Sequence, residues 1–316
     1  LTVEKLKETV LDTLKDVELV IGYQMGFDAL HATPLFVRKK EDAERLIWSP
    51  LCVHNLTTYL PSLKKSRVGV VVKGCDSRTI IQFLQEGLIT RENVTIIGIP
   101  CQGIISVRKV LKEIEYEPVE EVSFNSDSLT IKTLKGSKTL KIEDVWPDKC
   151  ITCKYPTPLI YDYLIGEPVS FDRGVEVSQV IKELEGKSLN ERLAYWQKEF
   201  DRCIRCYACR NACPLCVCQD SCIAETREPH WISQRLTLNE KFMFHMIHAL
   251  HLAGRCVECG ECARVCPMEI PVNILKKKIN LDMKELFGYV PGVNAEDKPP
   301  MYTFNVDEVN IKEHGI

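Results

Sequence analysis

Residues 203–214 read Cys-Ile-Arg-Cys-Tyr-Ala-Cys-Arg-Asn-Ala-Cys-Pro and residues 256–267 read Cys-Val-Glu-Cys-Gly-Glu-Cys-Ala-Arg-Val-Cys-Pro, so the spacing C-x-x-C-x-x-C-x-x-x-C-P occurs twice. Three thiolates so spaced wrap a short loop around one face of a four-iron, four-sulfur cube, while the cysteine before proline reaches the neighbouring cube. On that rule Cys203, Cys206, Cys209 and Cys266 close one cluster, and Cys256, Cys259, Cys262 and Cys213 close a second. Zinc also takes four thiolates, but usually from two C-x-x-C pairs, which a doubled three-plus-one run does not resemble. A disulfide framework fits no better. Sixteen cysteines in 316 residues fall far below the density of a small secreted scaffold, and their clustering points to metal in a reducing compartment.

The run resembles dicluster ferredoxins over roughly residues 200–283. The long stretch between Cys213 and Cys256 is similar to the long-connector form found in iron–sulfur subunits of succinate dehydrogenase and heterodisulfide reductase. The connector itself is expected to be a helix over 236–253 with Phe242, Met246, Ile247 and Leu250 on its apolar face. His245, His248 and His251 fall on that helix and read as packing or surface residues.

Length and charge bound the rest. A chain of 316 residues is long enough for two domains with their own cores. A formal net charge of −3 gives no basic footprint for nucleic acid. No apolar run reaches the ~18 residues that span a bilayer, and the opening segment reads as an amphipathic helix rather than a secretory signal. Cytoplasmic residence is the expectation.

Toward the amino terminus, helical spacing of Val3, Leu6, Val10 and Leu14 predicts a helix over 2–16, followed by a strand at 17–21 and a loop over 22–37. Glu41–Ile47 reads as a short helix, and Cys52 as the start of another ending near Pro61. The segment 67–73 is the most strand-like, a helix follows Gly74-Cys75-Asp76-Ser77-Arg78, and a second buried strand at 94–99 leads to Pro100-Cys101-Gln102-Gly103. Continuous apolar strands around a helix mark a parallel sheet covered on both faces. Cys75 and Cys101 then stand at the carboxyl ends of neighbouring strands, where open α/β sheets place ligands. Asp76 or Ser77 is expected to cap the helix, and Arg78 to make a surface ion pair or contact an anion. Alternation over 121–145 reads as a small antiparallel insertion.

A lone C-x-x-C at Cys150 and Cys153 serves zinc, redox and structural roles alike. Taken with Cys75 and Cys101 it completes a four-thiolate set, so a third cluster, a redox dithiol and zinc stand as competing readings. Cys52, Cys216, Cys218 and Cys222 are left over: Cys52 reads as a buried small hydrophobe or a ligand, and the four together raise the question of one more metal site.

Lys-Gly-Cys-Asp-Ser-Arg (73–78), Ile-Gly-Ile-Pro-Cys-Gln-Gly (97–103) and Cys-Ile-Thr-Cys-Lys-Tyr-Pro-Thr-Pro (150–158), with Tyr161-Asp162 and Ile165-Gly166, resemble the beta subunits of deazaflavin-dependent hydrogenases and formate dehydrogenases. That resemblance implies a four-iron cluster on Cys75, Cys101, Cys150 and Cys153, and a domain of a kind that also binds FAD. The fold expected is an α/β amino-terminal domain with a small parallel sheet (1–170), a helical linker (171–200), a mostly α-helical dicluster ferredoxin domain (201–283) and an extended tail (284–316) expected to lie on another subunit. The Lys276–Lys278 run is expected on a solvated face.

Closed thiolate sets leave no position for substrate, and nothing around them supplies a nucleophile or acid–base pair. The expected role is a non-catalytic iron–sulfur subunit relaying single electrons to other redox subunits of an anaerobic complex, such as a hydrogenase, a formate dehydrogenase or a heterodisulfide-reductase-like enzyme. The alternative is a flavin-binding subunit exchanging electrons with a soluble carrier: a deazaflavin, ferredoxin or NAD. Arg202, Arg205, Arg210, Arg255 and Arg264 punctuate the ligand loops, where positive charge favours a reduced cube and suits an acidic partner.

Overall fold

A computed structural model describes residues 2–171, 173, 175, 177–218, 222–224 and 232–304. The chain opens with α1 (Thr2–Thr13), β1 (Leu19–Met25), β2 (Ala32–Val37), α2 (Lys40–Ala43), β3 (Val68–Val72), α3 (Gly74–Gln85), β4 (Val94–Gly98) and α4 (Val107–Glu113). A three-stranded antiparallel insert follows, β5 (Val119–Phe124), β6 (Ser128–Thr133) and β7 (Gly136–Lys141), then α5 (Asp148–Ile151) and the short β8 (Tyr163–Leu164). The rest is helical: α6 (Gln179–Glu185), α7 (Leu189–Asp201), α8 (Ala208–Asn211), α9 (Leu238–Leu250), α10 (Glu261–Arg264) and α11 (Val272–Phe287).

The main sheet has the order β2-β1-β3-β4-β8, with β1, β3, β4 and β8 parallel and β2 antiparallel at one edge. All five residues of β3 are buried, as a strand covered on both faces requires. The expected loop over 22–37 is instead the end of β1, a turn and β2. Pro34 sits within β2, where an edge strand tolerates a missing donor. The helix expected from Cys52 is two 3-10 turns, Leu56–Tyr59 and Pro61–Leu63, with the Asn55 side chain capping the first.

The amino-terminal core gathers Leu6, Ile21, Val70, Phe83, Ile96 and their neighbours, and Leu215, Leu252, Val257 and Cys259 from the second half belong to it as well. A second core, holding Phe200, Phe244, Ile270 and Val272, surrounds Cys203, Cys209, Cys262 and Cys266. Helix α6 packs Ile181 and Leu184 on Ile274 of α11, and α7 contributes Trp196 and Phe200.

The tail does not stand away from the chain as expected, at least as far as Phe304. Arg78 of α3 donates to Pro291 O at 2.7 Å, and Gln85 Nε2 donates to the carbonyls of Asn294 and Asp297 at 2.8 and 2.7 Å. Residues 305–316 lie outside the described ones.

Candidate metal centres

The two cysteine runs adopt one backbone twice. Arg205 and Tyr207 have φ of 49° and 59°, and the equivalent Glu258 and Gly260 have 59° and 71°. Three of these four left-handed residues are not glycine, a conformation costing about 1–2 kcal/mol apiece. Such strain persists where a site requires it: the left-handed residues curl each loop about a hollow. At Gly260 the need is double, since a Cβ there would stand 2.9 Å from Lys149 Cδ. Lys149 Nζ donates to Cys259 O at 2.6 Å, joining the amino-terminal domain to the second run.

Three cavities each take one set of cysteines. Cys203, Cys206, Cys209 and Cys266 line a cavity of about 310 Å³. Cys213, Cys256, Cys259 and Cys262 line one of about 480 Å³. Cys75, Cys101, Cys150 and Cys153 line a cleft of about 1130 Å³ including its mouth. Each run thus sends the cysteine that precedes its proline into the other's cavity. The second and third cavities adjoin, since Lys149, Val257, Glu258 and Lys277 line both.

Ligand spacing separates the candidate metals. Tetrahedral zinc with Zn–S of about 2.3 Å needs its sulfurs about 4 Å apart. Among the described residues the one group of three or more candidate ligand atoms within 4.8 Å of one another is Cys213, Cys216 and His248. The quartets surround hollows instead of converging on a point, which suits a multi-atom core closed by four thiolates.

The amino-terminal quartet is assembled by close backbone approach. Cys75 lies in the first turn of α3, just beyond β3, and Cys101 just beyond β4. The loop after Cys153 threads between these ends: Cys101 N–H donates to Pro156 O at 2.9 Å, and Leu159 N–H to Ser77 Oγ at 2.9 Å. A Cβ on Gly74 would fall 1.8 Å from Tyr155 O, so only glycine fits. Arg173 donates to Cys150 O at 2.8 Å and Gln102 O at 2.6 Å with its guanidinium over Trp146 and Phe171. Asp76 is wholly buried, accepts from Lys73 N–H at 3.1 Å and pairs with Lys73 Nζ at 2.8 Å, so it serves as cap and ion-pair partner together.

Burial raises most of these thiols above their ordinary range: Cys101 to about 11, Cys209 and Cys256 to about 12. Metal binding must displace those protons. Cys213 differs: hydrogen bonds with the neighbouring Cys216 and with His248, and the charge of Lys276, hold its thiol below the usual range. Cys213, and not Cys216, lines the cavity with Cys256, Cys259 and Cys262.

The leftover cysteines do not converge. Cys52 is wholly buried in the amino-terminal core, where burial raises its thiol to about 11. Cys216 stands beside Cys213, Cys218 is exposed, and Cys222 is buried in the second core.

Arg78 corrects its sequence reading. It is buried, its guanidinium lies over Tyr155, and it donates to Val257 O at 3.0 Å and Pro291 O at 2.7 Å. The arginines around the loops are largely paired internally: Arg255 with Glu86 at 2.5 Å, Arg264 with Glu261 at 2.7 Å, Arg202 with Glu199, while Arg205 reaches the Ser233 and Arg235 carbonyls and Arg210 reaches Cys218 O. The Lys276–Lys278 run is not a solvated face either, since Lys276 and Lys277 are buried and only Lys278 reaches solvent. Helical spacing was the available signal, because α11 must bury one side.

This architecture defines an iron–sulfur protein of the dicluster class: the family model described as a 4Fe-4S dicluster domain matches residues 199–270. More particularly, the chain is similar along nearly all its length to the F420-dependent formate dehydrogenase subunit beta of Methanocaldococcus jannaschii, 26% identical over a 355-residue alignment covering 93% of this chain and 91% of the relative. The F420-dependent formate dehydrogenase 1 subunit beta of Methanococcus maripaludis is 25% identical over 347 residues, covering 90% and 89%. A solved F420-reducing [NiFe] hydrogenase complex from Methanosarcina barkeri matches at a TM-score of 0.37 and 14% identity, over 49% of this chain and 58% of that one, a likeness too loose to carry an argument. The relatives and the domain match support the formate dehydrogenase beta-subunit family that the amino-terminal motifs resemble, and an iron–sulfur electron-transfer subunit of an oxidoreductase. Among the described residues no helix is long and apolar enough to cross a membrane.

Proposed function

We propose that the chain relays single electrons through three four-iron clusters in series, as the beta subunit of a cytoplasmic anaerobic complex of the formate dehydrogenase or hydrogenase kind. Cys75, Cys101, Cys150 and Cys153 hold the first cluster, Cys213, Cys256, Cys259 and Cys262 the second, and Cys203, Cys206, Cys209 and Cys266 the third. The observation that carries this reading is the sharing of wall residues between the first and second cavities, with the second and third joined by exchange of Cys213 and Cys266 between the two runs. Bound clusters supply one-electron chemistry with little movement of the protein. The residues fix the spacing: Lys149 and Arg78 tie the first thiol set to the second run, and α9 and α11 hold the two runs together. Cys206, exposed at the far end, marks the terminus toward a partner subunit.

The test is anaerobic iron loading of Cys153→Ala beside the intact chain, followed by EPR after dithionite reduction. The variant is expected to lose about four irons and one signal while two interacting signals remain. Equal iron in both proteins would overturn the ligand assignment.

A second reading, compatible with the first, concerns the rest of the cleft. Lys154, Arg173, Lys284, Tyr155 and Phe171 line it beside the thiols. Cations with flat aromatic faces suit an FAD diphosphate and isoalloxazine, which would exchange electron pairs with a deazaflavin carrier. Quenching of FAD fluorescence by the loaded chain, weakened tenfold in Phe171→Ala, is the expected outcome; no quenching by the intact chain would reject it.

A further inference from the structure

Of the described residues, four lysines are buried to 7% exposure or less: Lys73, Lys241, Lys276 and Lys277. A buried ammonium is costly unless it is paired. Lys73 has Asp76 at 2.8 Å, and Lys241 has Asp201 at 3.6 Å and the Asp201 carbonyl. Lys277 bonds Thr152 Oγ1 and lies in the field of Glu258 and Asp148. Lys276 alone among them has no carboxylate. Its Nζ stands 3.3 Å from Nε2 of the buried His248, hydrogen-bonds the Cys262 side chain, and otherwise feels Cys213, Cys256 and Cys216. His248 brings no compensating charge, since an imidazole is either neutral or cationic.

A cation at this depth is sustained by negative charge delivered to the thiols around it. We propose that Lys276 is a positioning residue for charge: its ammonium is the fixed counter-charge of the cluster held by Cys213, Cys256, Cys259 and Cys262, and it makes that cluster easier to reduce than the same thiol set would be without it. The inference rests on the cluster assignment above. The neighbouring loop arginines do not supply this charge, because Arg255, Arg264 and Arg202 are each neutralised by a glutamate. Lys149, on the other side of the same cavity, shares the Glu261 carboxylate with Arg264 and donates to the Cys259 carbonyl, so it adds to the positive field at the same thiols. A positive charge stabilises the reduced, more negative cube.

The experiment is EPR-monitored redox titration of the full chain, loaded with iron anaerobically, for the intact protein, Lys276→Met and Lys276→Arg, with iron counted in each. In Lys276→Met the equilibrium constant for reducing one dicluster cube is expected to fall at least tenfold, which is a 59 mV drop for one electron, with a smaller shift in the other; Lys276→Arg is expected to stay within threefold of the intact chain. Equal potentials in the Met variant with full iron overturn the inference and leave the cluster assignment standing. Absence of the dicluster signals in the intact chain overturns both. If Lys276→Met loses iron, retention of iron and potential in Lys276→Arg supports the requirement for charge, and loss in both variants assigns Lys276 to packing and overturns it.

Discussion

Replacing Arg78 by Met tests whether the amino-terminal domain and the dicluster segment fold as one unit. The guanidinium makes two hydrogen bonds to backbone carbonyls, at 3.0 Å to Val257 and 2.7 Å to Pro291, residues far away along the chain. Bonds from a charged donor contribute about 1.5–3 kcal/mol each. Methionine replaces the aliphatic stem and relieves the burial of a cation, so the net loss is about 2–4 kcal/mol. At about 2–4 °C per kcal/mol for a domain of moderate size, the melting midpoint of the cluster-loaded chain falls by about 4–16 °C. Arg78→Lys keeps the charge but not the fork, so it should lie between the two. Calorimetry under anaerobic conditions reads the midpoint, and limited proteolysis reads release of the segment after Phe287. A midpoint and cleavage rate unchanged in Arg78→Met would refute the clamp.

Three further outcomes are expected. Cys213→Ala should cost about four irons per chain, whereas Cys216→Ala should keep them all, and the reverse order would exchange the two residues' roles. Gly260→Ala puts a side chain in the left-handed region against Lys149, so it should cost about 1–2 kcal/mol and lower iron occupancy more than Gly186→Ala, where an added Cβ meets nothing closer than 3.6 Å. His245 is stacked on Phe200 at 4.3 Å with its Nε2 unpartnered, and burial lowers its pKa from 6.5 to about 3. The unfolded chain therefore binds a proton below pH 6.5 that the folded chain refuses until about pH 3, so stability present above 6.5 is lost as pH falls through that window. His245→Phe should remove about 2 kcal/mol of the loss between pH 7 and pH 5, as measured by denaturant midpoints at the two pH values.

Patterns held within a few residues were legible in the sequence. The doubled cysteine spacing announced the dicluster domain because each loop is local, and the apolar runs at 68–72 and 94–98 announced parallel strands because burial on both faces leaves no polar positions. β2 was not legible, since Thr33-Pro34 reads as a turn until β1 lies beside it. Arg78, Lys276 and Lys277 were misread for a common reason: a charged side chain in isolation belongs in water, and only carbonyls or thiols brought in from distant segments make its burial tolerable. The tail's return onto α3 depends on those same distant carbonyls.

Iron and acid-labile sulfide counted together on the intact chain after anaerobic loading test the three-cluster relay most directly. About twelve of each per chain are expected, with three reducible paramagnetic signals. About eight of each would leave Cys75, Cys101, Cys150 and Cys153 without a cluster and would contradict the account.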